Sequence, residues 1–138
     1  MSNLKPSWVQ LNQVVDPVGE LSILELPFGV KRLYYIQKVP LGGQRGFHAH
    51  KSLHQIFLAA QGSLTLELIT PKSSETFELN ATTDKALHVP PGYWRVMSNF
   101  SSDAICLVLA SEHYDEADYI RNFEEYVSWY TQVVDYEG

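Results

Sequence analysis

The sequence predicts an all-β chain, a sandwich or barrel with one short C-terminal helix. Short runs rich in leucine, β-branched and aromatic residues are separated by Gly, Pro, Asn, Asp and Ser, the punctuation of successive antiparallel strands. Several runs alternate, so that in Leu64-Thr65-Leu66-Glu67-Leu68 every leucine falls on one face. Apolar residues recur at three- and four-residue spacing only near the C-terminus. A length of 138 residues with 45% apolar content fits one domain over 1–138, large enough to bury roughly two-thirds of its unfolded surface.

In chain order, strands are expected at Trp8–Val14, Leu21–Leu26, Arg32–Lys38, Phe47–His50, Leu53–Ala60, Leu64–Thr70, Thr76–Leu79, Ala86–Val89, Trp94–Asn99 and Ala104–Ser111. Turn residues part them at Pro17-Val18-Gly19, Gly42-Gly43, Gln61-Gly62-Ser63, Lys72-Ser73-Ser74 and Pro90-Pro91-Gly92. Ile105–Leu109 is apolar throughout, which implies cover on both faces. Ile120, Phe123, Val127 and Tyr130 draw one stripe along a helix over about 118–132. Asp115, Glu116 and Asp118 stand before or in its first turn, where negative charge complements the helix dipole. This helix is expected to cover one end or flank of the sheets.

Ten Lys+Arg against sixteen Asp+Glu leave a net charge of −6. No basic field exists to release counterions, which excludes a general nucleic-acid or membrane-surface binder. Any phosphate must therefore be held by a few placed arginines. The single cysteine, Cys106, lies in an apolar run and reads as a buried structural thiol. No run is long and apolar enough to span a bilayer, and the N-terminus lacks a charged-then-apolar leader pattern, so a soluble protein of the reducing cytoplasm is expected.

The chemistry concentrates in Gly42-Gly43-Gln44-Arg45-Gly46-Phe47-His48-Ala49-His50. Residues two apart on a strand point the same way, which aims His48 and His50 into one cavity. Gln55 and Gly62 follow at set spacing, and later Pro90-Pro91-Gly92-Tyr93-Trp94-Arg95-Val96-Met97-Ser98-Asn99. These two stretches resemble the paired motifs of the cupin family, which implies a jelly-roll β-sandwich. Gln55 stands where that family has a carboxylate ligand, Arg95 where it has a third histidine, and Asp84 where its second motif opens with glycine. A guanidinium has no lone pair to donate and repels a divalent ion, so neither a metal nor another cofactor is expected. Imidazoles exchange protons near neutrality, their ordinary pKa being about 6.5. Two of them can take a proton from one carbon and deliver it to the next, while Arg95, Arg45 and a phenol such as Tyr35 hold the developing oxyanion. That set suits proton abstraction beside a carbonyl, through an enediol.

The blocks Arg45-Gly46-Phe47-His48-Ala49-His50-Lys51 and Asp118-Tyr119-Ile120-Arg121-Asn122, with Lys31-Arg32-Leu33-Tyr34-Tyr35-Ile36, are similar to those of the cupin-type sugar 3,4-ketoisomerases. The resemblance runs from about Val15 to Tyr126. It implies conversion of a dTDP-linked 4-keto-6-deoxyhexose to its 3-keto isomer on the way to surface-glycan amino sugars, with His48 and His50 as the acid/base pair. It also implies homodimers that exchange N-terminal strands, which would give Trp8–Val14 a partner subunit. Family members carry Arg or Tyr where this chain has Val18, and His or Arg at position 95. Both are expected at the pocket wall, and Arg95 inclines the product towards the gluco configuration at C4. Which histidine is the base is left open.

Each residue also has a plainer reading. His48 and His50 could be strand histidines or half of a zinc site, but the glycine spacing and Arg45 favour catalysis. Arg45 fits diphosphate contact as well as a surface pair. Arg32 and Arg121 are phosphate ligands or structural partners of Glu112, Asp115 and Asp118. Of the Tyr34–Tyr35 pair, alternation sends one ring inward, and Tyr35 is the one expected inside. His54 fits a supporting, surface or site role; His88 and His113 read as core or surface histidines. Trp94 and Met97 read as core, and Asn99 as a turn residue. Gln55 is expected, with Arg95, to bind substrate, and three functions compete: 3,5-epimerisation of the same substrate, a metal-dependent dioxygenase, and a non-catalytic sugar-nucleotide-binding cupin in which Arg95 and Gln55 recognise phosphate or sugar hydroxyls. The related jelly-roll epimerases use a His–Asp dyad with an opposing Tyr, and no carboxylate is evidently paired with His48 or His50 in the sequence.

Overall fold

The computed structural model describes residues 4–135. Its strands are β1 (Ser7–Gln10), β2 (Asn12–Asp16), β3 (Gly19–Ile23), β4 (Arg32–Gln37), β5 (Arg45–His50), β6 (Gln55–Gln61), β7 (Ser63–Thr70), β8 (Ser73–Asn80), β9 (Lys85–Val89), β10 (Trp94–Ser98), β11 (Ile105–Ala110) and β12 (Tyr119–Ile120). Two five-stranded antiparallel sheets, β1-β9-β6-β11-β4 and β12-β5-β10-β7-β8, face one another, and β2 and β3 form a separate hairpin. This is the jelly-roll sandwich that the strand pattern and the motifs predict. Leu64, Leu66 and Leu68 do point to one buried face, where they meet Phe57, Leu87, Cys106 and Val108 from the opposite sheet. Burial pushes the Cys106 thiol up to about 12, so it is inert packing. Among the described residues no helix is long and apolar enough to cross a membrane.

β11 is covered on both sides as its unbroken apolar run implies. Cys106 and Val108 face the core, while Leu109 on the other side packs with Leu24, Leu26 and Phe28 from the loop before β4. Leu24–Leu26 is therefore covering loop; the expected strand ends at Ile23. Serines 73 and 74, read as turn, open β8 instead, and the reversal is confined to Pro71-Lys72.

The expected strand Trp8–Val14 is two strands. The chain breaks at buried Leu11, whose N–H donates to Asp84 O (2.7 Å). β1 pairs with β9 of the same chain, and among the described residues β2 pairs with β3 alone. β2 and β3 carry apolar side chains that stay exposed, and at the hairpin's tip Val18 is 94% exposed. Val18 lies on a projecting turn, not on a pocket wall of its own chain.

The helix also begins later than expected. Asp115 caps a single 3-10 turn, Glu116–Asp118, and Tyr119-Ile120 are then drawn out as β12 against β5. The helix α1 (Phe123–Trp129) starts at Asn122, whose side chain accepts the Glu125 N–H (3.0 Å), and a wider turn continues it over Tyr130–Asp135. Asn122-x-x-Glu125 is a capping-box pattern, the stronger start signal in this stretch. Tyr126 packs with Ala49, Trp94 and Ile120 on the outer face of the β5-β10 sheet, which confirms Trp94 as core. Ala49 faces this helix, so its strand neighbours His48 and His50 must face the interior.

Candidate active site

The local shape of β5 places both histidines. Gly46 and Phe47 have φ of 104° and 58°, and the pairing with β10 slips between Arg95, opposite His48, and Val96, opposite Gly46. Phe47 is the extra residue of this bulge, left facing out. A Cβ on Gly46 would lie 2.7 Å from Arg95 O, so only glycine fits. The bulge turns His48 back on its own strand, where Nδ1 donates to Gly46 O (3.0 Å). The His48 and His50 rings stand 5.0 Å apart and nearly perpendicular, together as the sequence predicts.

His50 is 1% exposed. Its Nδ1 lies 3.0 Å from Asp118 Oδ2, and Asp118 Oδ1 accepts from both the N–H and the hydroxyl of Ser52 (2.8 Å each). This carboxylate partner is absent from the sequence reading because residues 118–122 were expected to be helical. The signal that finds it is the capping box at Asn122, which frees Asp118 and Tyr119 to run beside β5. Tyr119 faces His50 across the strand pair, and its ring lies 4.3 Å from that of His50 and 5.1 Å from that of His48.

Behind the histidines sits a buried polar chain. Arg95 and Gln55 are each 1% exposed. Arg95 donates to Gln55 Oε1 and to Tyr93 O, and Gln55 Nε2 donates to the Tyr34 hydroxyl (2.9 Å). Arg95 and Gln55, expected to touch substrate, are buried against each other behind the histidines and are in the wall of neither cavity described below. The expectation for the tyrosine pair also reverses: Tyr34 turns in to Gln55, whereas Tyr35 is 57% exposed. Strand parity fixes that one ring is inside, and only the register of β4 against β11, with Tyr34 opposite Val108, decides which.

Burial and the Arg95 cation lower the His48 imidazole to about 3. Burial lowers His50 to about 4, against the pull of Asp118. Both rings are therefore neutral at pH 7, each with its proton on Nδ1 and its lone pair on Nε2. Burial raises the Asp118 carboxyl, but its hydrogen bonds from His50 and Ser52 outweigh this and leave it below the usual carboxylate value. Burial brings Arg95 down to about 10, still a cation at neutral pH. With that cation hydrogen-bonded to Gln55 in two of the four cupin ligand places, the residues do not fit a divalent metal.

Two cavities open beside the pair. One, of about 410 Å³, has Tyr34, His48, Arg45, Tyr119, Arg32 and Arg121 in its wall, with the exposed Tyr35 at the edge of the lining. The other, of about 510 Å³, includes His50, Ser52, Asp118, His113 and again Arg32 and Tyr119 in its wall. Arg32, Arg45 and Arg121 thus do converge on one opening. Arg121 also pairs with Glu116 (3.0 Å) and lies over the Tyr119 ring at 4.2 Å; Glu112 takes Lys31 instead. His54 and His88 form their own pair, 3.0 Å apart, against Phe28. Met97 packs in the core. Asn99 takes a left-handed turn after β10, φ 54°.

Comparison with known proteins agrees with this geometry. The family model described as "FdtA: WxcM-like, C-terminal" matches residues 4–131. The chain is 37% identical over 127 residues to the TDP-4-oxo-6-deoxy-alpha-D-glucose-3,4-oxoisomerase of Aneurinibacillus thermoaerophilus, covering 87% of this chain and 91% of that protein. A histidine-to-asparagine variant of the 3,4-ketoisomerase QdtA from Thermoanaerobacterium thermosaccharolyticum, solved with TDP-4-keto-6-deoxyglucose, superposes with TM-score 0.88 at 36% identity over 93% and 95% of the two chains. The TDP-quinovose 3,4-ketoisomerase WlaRB of Campylobacter jejuni gives 0.83 at 39% identity, over 93% and 99%. A jelly-roll with two neutral imidazoles beside an arginine-lined opening, and these relatives along nearly its whole length, make the chain a member of the FdtA family of cupin-type sugar 3,4-ketoisomerases.

Proposed function

We propose that this isomerase converts dTDP-4-keto-6-deoxyglucose to a dTDP-3-keto-6-deoxyhexose by acid–base proton transfer through an enediol. The observation that carries the reading is the pair of neutral imidazoles, each tied at Nδ1 and free at Nε2, beside an opening with three arginines. The arginines suit the diphosphate. An imidazole removes the C3 proton, and the negative charge that grows on O4 is met by the Tyr34 hydroxyl. That hydroxyl accepts from Gln55 and so keeps its own proton to donate. Arg95, fixed beneath, adds positive potential without reorganising. Tyr34 thereby takes the role that the sequence assigns to Tyr35.

Incubation with dTDP-4-keto-6-deoxyglucose in deuterium oxide tests this, with a 3-keto product carrying solvent label as the expected result. No 3-keto product and no label would end the reading. The His50–Asp118 pair favours a second reading, 3,5-epimerisation, since a His–Asp dyad is the feature that the sequence lacks for it. Label and inversion at C5 distinguish that reaction.

The acting form proposed is a homodimer in the cytoplasm, with the exposed β2–β3 hairpin, including Val14, Val15 and Leu21, covered by a second copy. Val18→Asp at its tip with Val15→Asp should shift the mass in solution to that of a monomer.

A further inference from the structure

Gln55 lies in the wall of neither cavity, yet it decides what Tyr34 presents to one of them. It uses both ends of its amide: Oε1 accepts from Arg95 Nη1, and Nε2 donates to the Tyr34 hydroxyl (2.9 Å). An amide has one accepting and one donating end, whereas a guanidinium only donates. Turning the amide over would set its NH2 against the Arg95 N–H groups and leave buried donors unpaired, which is costly. Arg95 has no room to swing aside, being 1% exposed, bonded to Tyr93 O and set over the Phe57 ring at 5.9 Å. The chain of hydrogen bonds therefore runs one way, from Arg95 through Gln55 to Tyr34. Because the Tyr34 oxygen takes the Gln55 N–H, its own proton must point elsewhere. Among the described residues no side chain or carbonyl accepts that proton, and Tyr34 stands in the wall of the 410 Å³ cavity. Arg32 lies over the face of the Tyr34 ring at 5.6 Å and is itself only a donor.

We propose that Gln55 is a positioning residue for the isomerisation: its amide, oriented by Arg95, makes Tyr34 a fixed hydrogen-bond donor to the cavity, so that what docks there is an acceptor, the carbonyl or enolate oxygen of the sugar. This rests on the ketoisomerase reading above and extends it from Tyr34 to the buried residue behind it. Gln55 touches no substrate and moves no proton. Its contribution is to remove the alternative in which the phenol turns its proton inward and offers the cavity a lone pair. Such a donor is aligned before the charge on the sugar oxygen grows, and needs no rearrangement when it does.

Gln55→Glu reverses this polarity at nearly constant shape. The carboxylate still accepts from Arg95 but also accepts from Tyr34, which draws the phenolic proton inward. Turnover of dTDP-4-keto-6-deoxyglucose should fall roughly 10²- to 10³-fold in kcat, as when an oxyanion donor is lost, with KM changed less than about threefold. In a Tyr34→Phe background the same substitution should lower kcat less than about threefold further, because the donor is already gone. Burial raises the Tyr34 phenol, while Arg95 and the Gln55 hydrogen bond pull it down. Its titration, followed by the carbon-13 resonance of Cζ, should therefore move higher in Gln55→Glu. A glutamine that serves packing alone would give the same loss in both backgrounds. Should Gln55→Glu not fold, the wild type decides: nuclear Overhauser contacts from the Gln55 Nε2 protons to the Tyr34 ring support the orientation, and contacts to the Arg95 guanidinium alone overturn it. A folded Gln55→Glu enzyme with kcat within about threefold of wild type, or a loss that multiplies in full with that of Tyr34→Phe, overturns the proposal and leaves the ketoisomerase reading standing. A wild type that does not isomerise the 4-keto sugar overturns that reading instead, and the amide orientation with the phenol titration then decides whether Gln55 sets Tyr34.

Discussion

Gly46→Ala is the substitution whose cost the structure defines best. Gly46 has φ 104°, and an added Cβ would lie 2.7 Å from Arg95 O and 3.2 Å from Arg95 Cγ. The backbone conformation alone costs an L-residue about 1–3 kcal/mol. Forcing a methyl into this packed contact adds about 1–3 kcal/mol, because Arg95 is buried and held by Gln55 and Tyr93. A total near 4 kcal/mol lowers the melting temperature of a domain this size by roughly 12 °C, taking about 3 °C per kcal/mol. Gly42 provides the control: its φ is 80°, but nothing lies within 4 Å of its added Cβ, so Gly42→Ala pays the conformational cost only, about 1–3 kcal/mol. Thermal and urea unfolding of both variants measure the difference. Because Gly46 O also anchors His48, turnover of folded Gly46→Ala should fall more than about tenfold. A Gly46→Ala protein no less stable than Gly42→Ala would refute the bulge as a close-packed device that aims His48.

Three further outcomes are expected. Tyr34→Phe should lower kcat about 10²- to 10³-fold, as loss of an oxyanion donor does, whereas Tyr35→Phe should stay within about twofold; equal effects would return the phenol role to Tyr35. Since His48 and His50 titrate at about 3 and 4 when folded and near 6.5 when unfolded, the unfolded chain binds more protons across that interval. Stability should therefore fall as pH drops from about 6.5 to 4, and the fall should be shallower in His50→Asn, as unfolding midpoints at several pH values will show; an unchanged slope contradicts neutral burial of His50. The double variant Gln55→Glu/Arg95→His replaces the guanidinium and the amide with metal-donor groups at cupin ligand places, and should bind one zinc or cobalt per chain by elemental analysis, against a wild type that binds none. Equal metal in both would show that Arg95 does not exclude the ion.

The sequence by itself determined the parts that follow from local pattern. Alternation in Leu64–Leu68, glycine and proline punctuation, and the histidine spacing on β5 are enforced by strand geometry and turn stereochemistry, so the sandwich and the shared facing of His48 and His50 were readable from residue order. The departures at Gln55 and Arg95 were equally plain, because a guanidinium cannot ligate a metal wherever the fold puts it.

What only the tertiary structure decided depends on contacts between residues distant along the chain. Parity says that Tyr34 and Tyr35 oppose one another, but the pairing of β4 with β11 turns Tyr34 inward. The polarity of Arg95 and Gln55 suggested ligand contact, whereas their hydrogen bond to each other lets both be buried. Asp118 meets His50, 68 positions away, because Tyr119-Ile120 extend along β5, although their apolar spacing also fits a helix. Local propensity is nearly neutral between those two states for so short a segment, and the open hydrogen-bonding edge of β5 tips the balance.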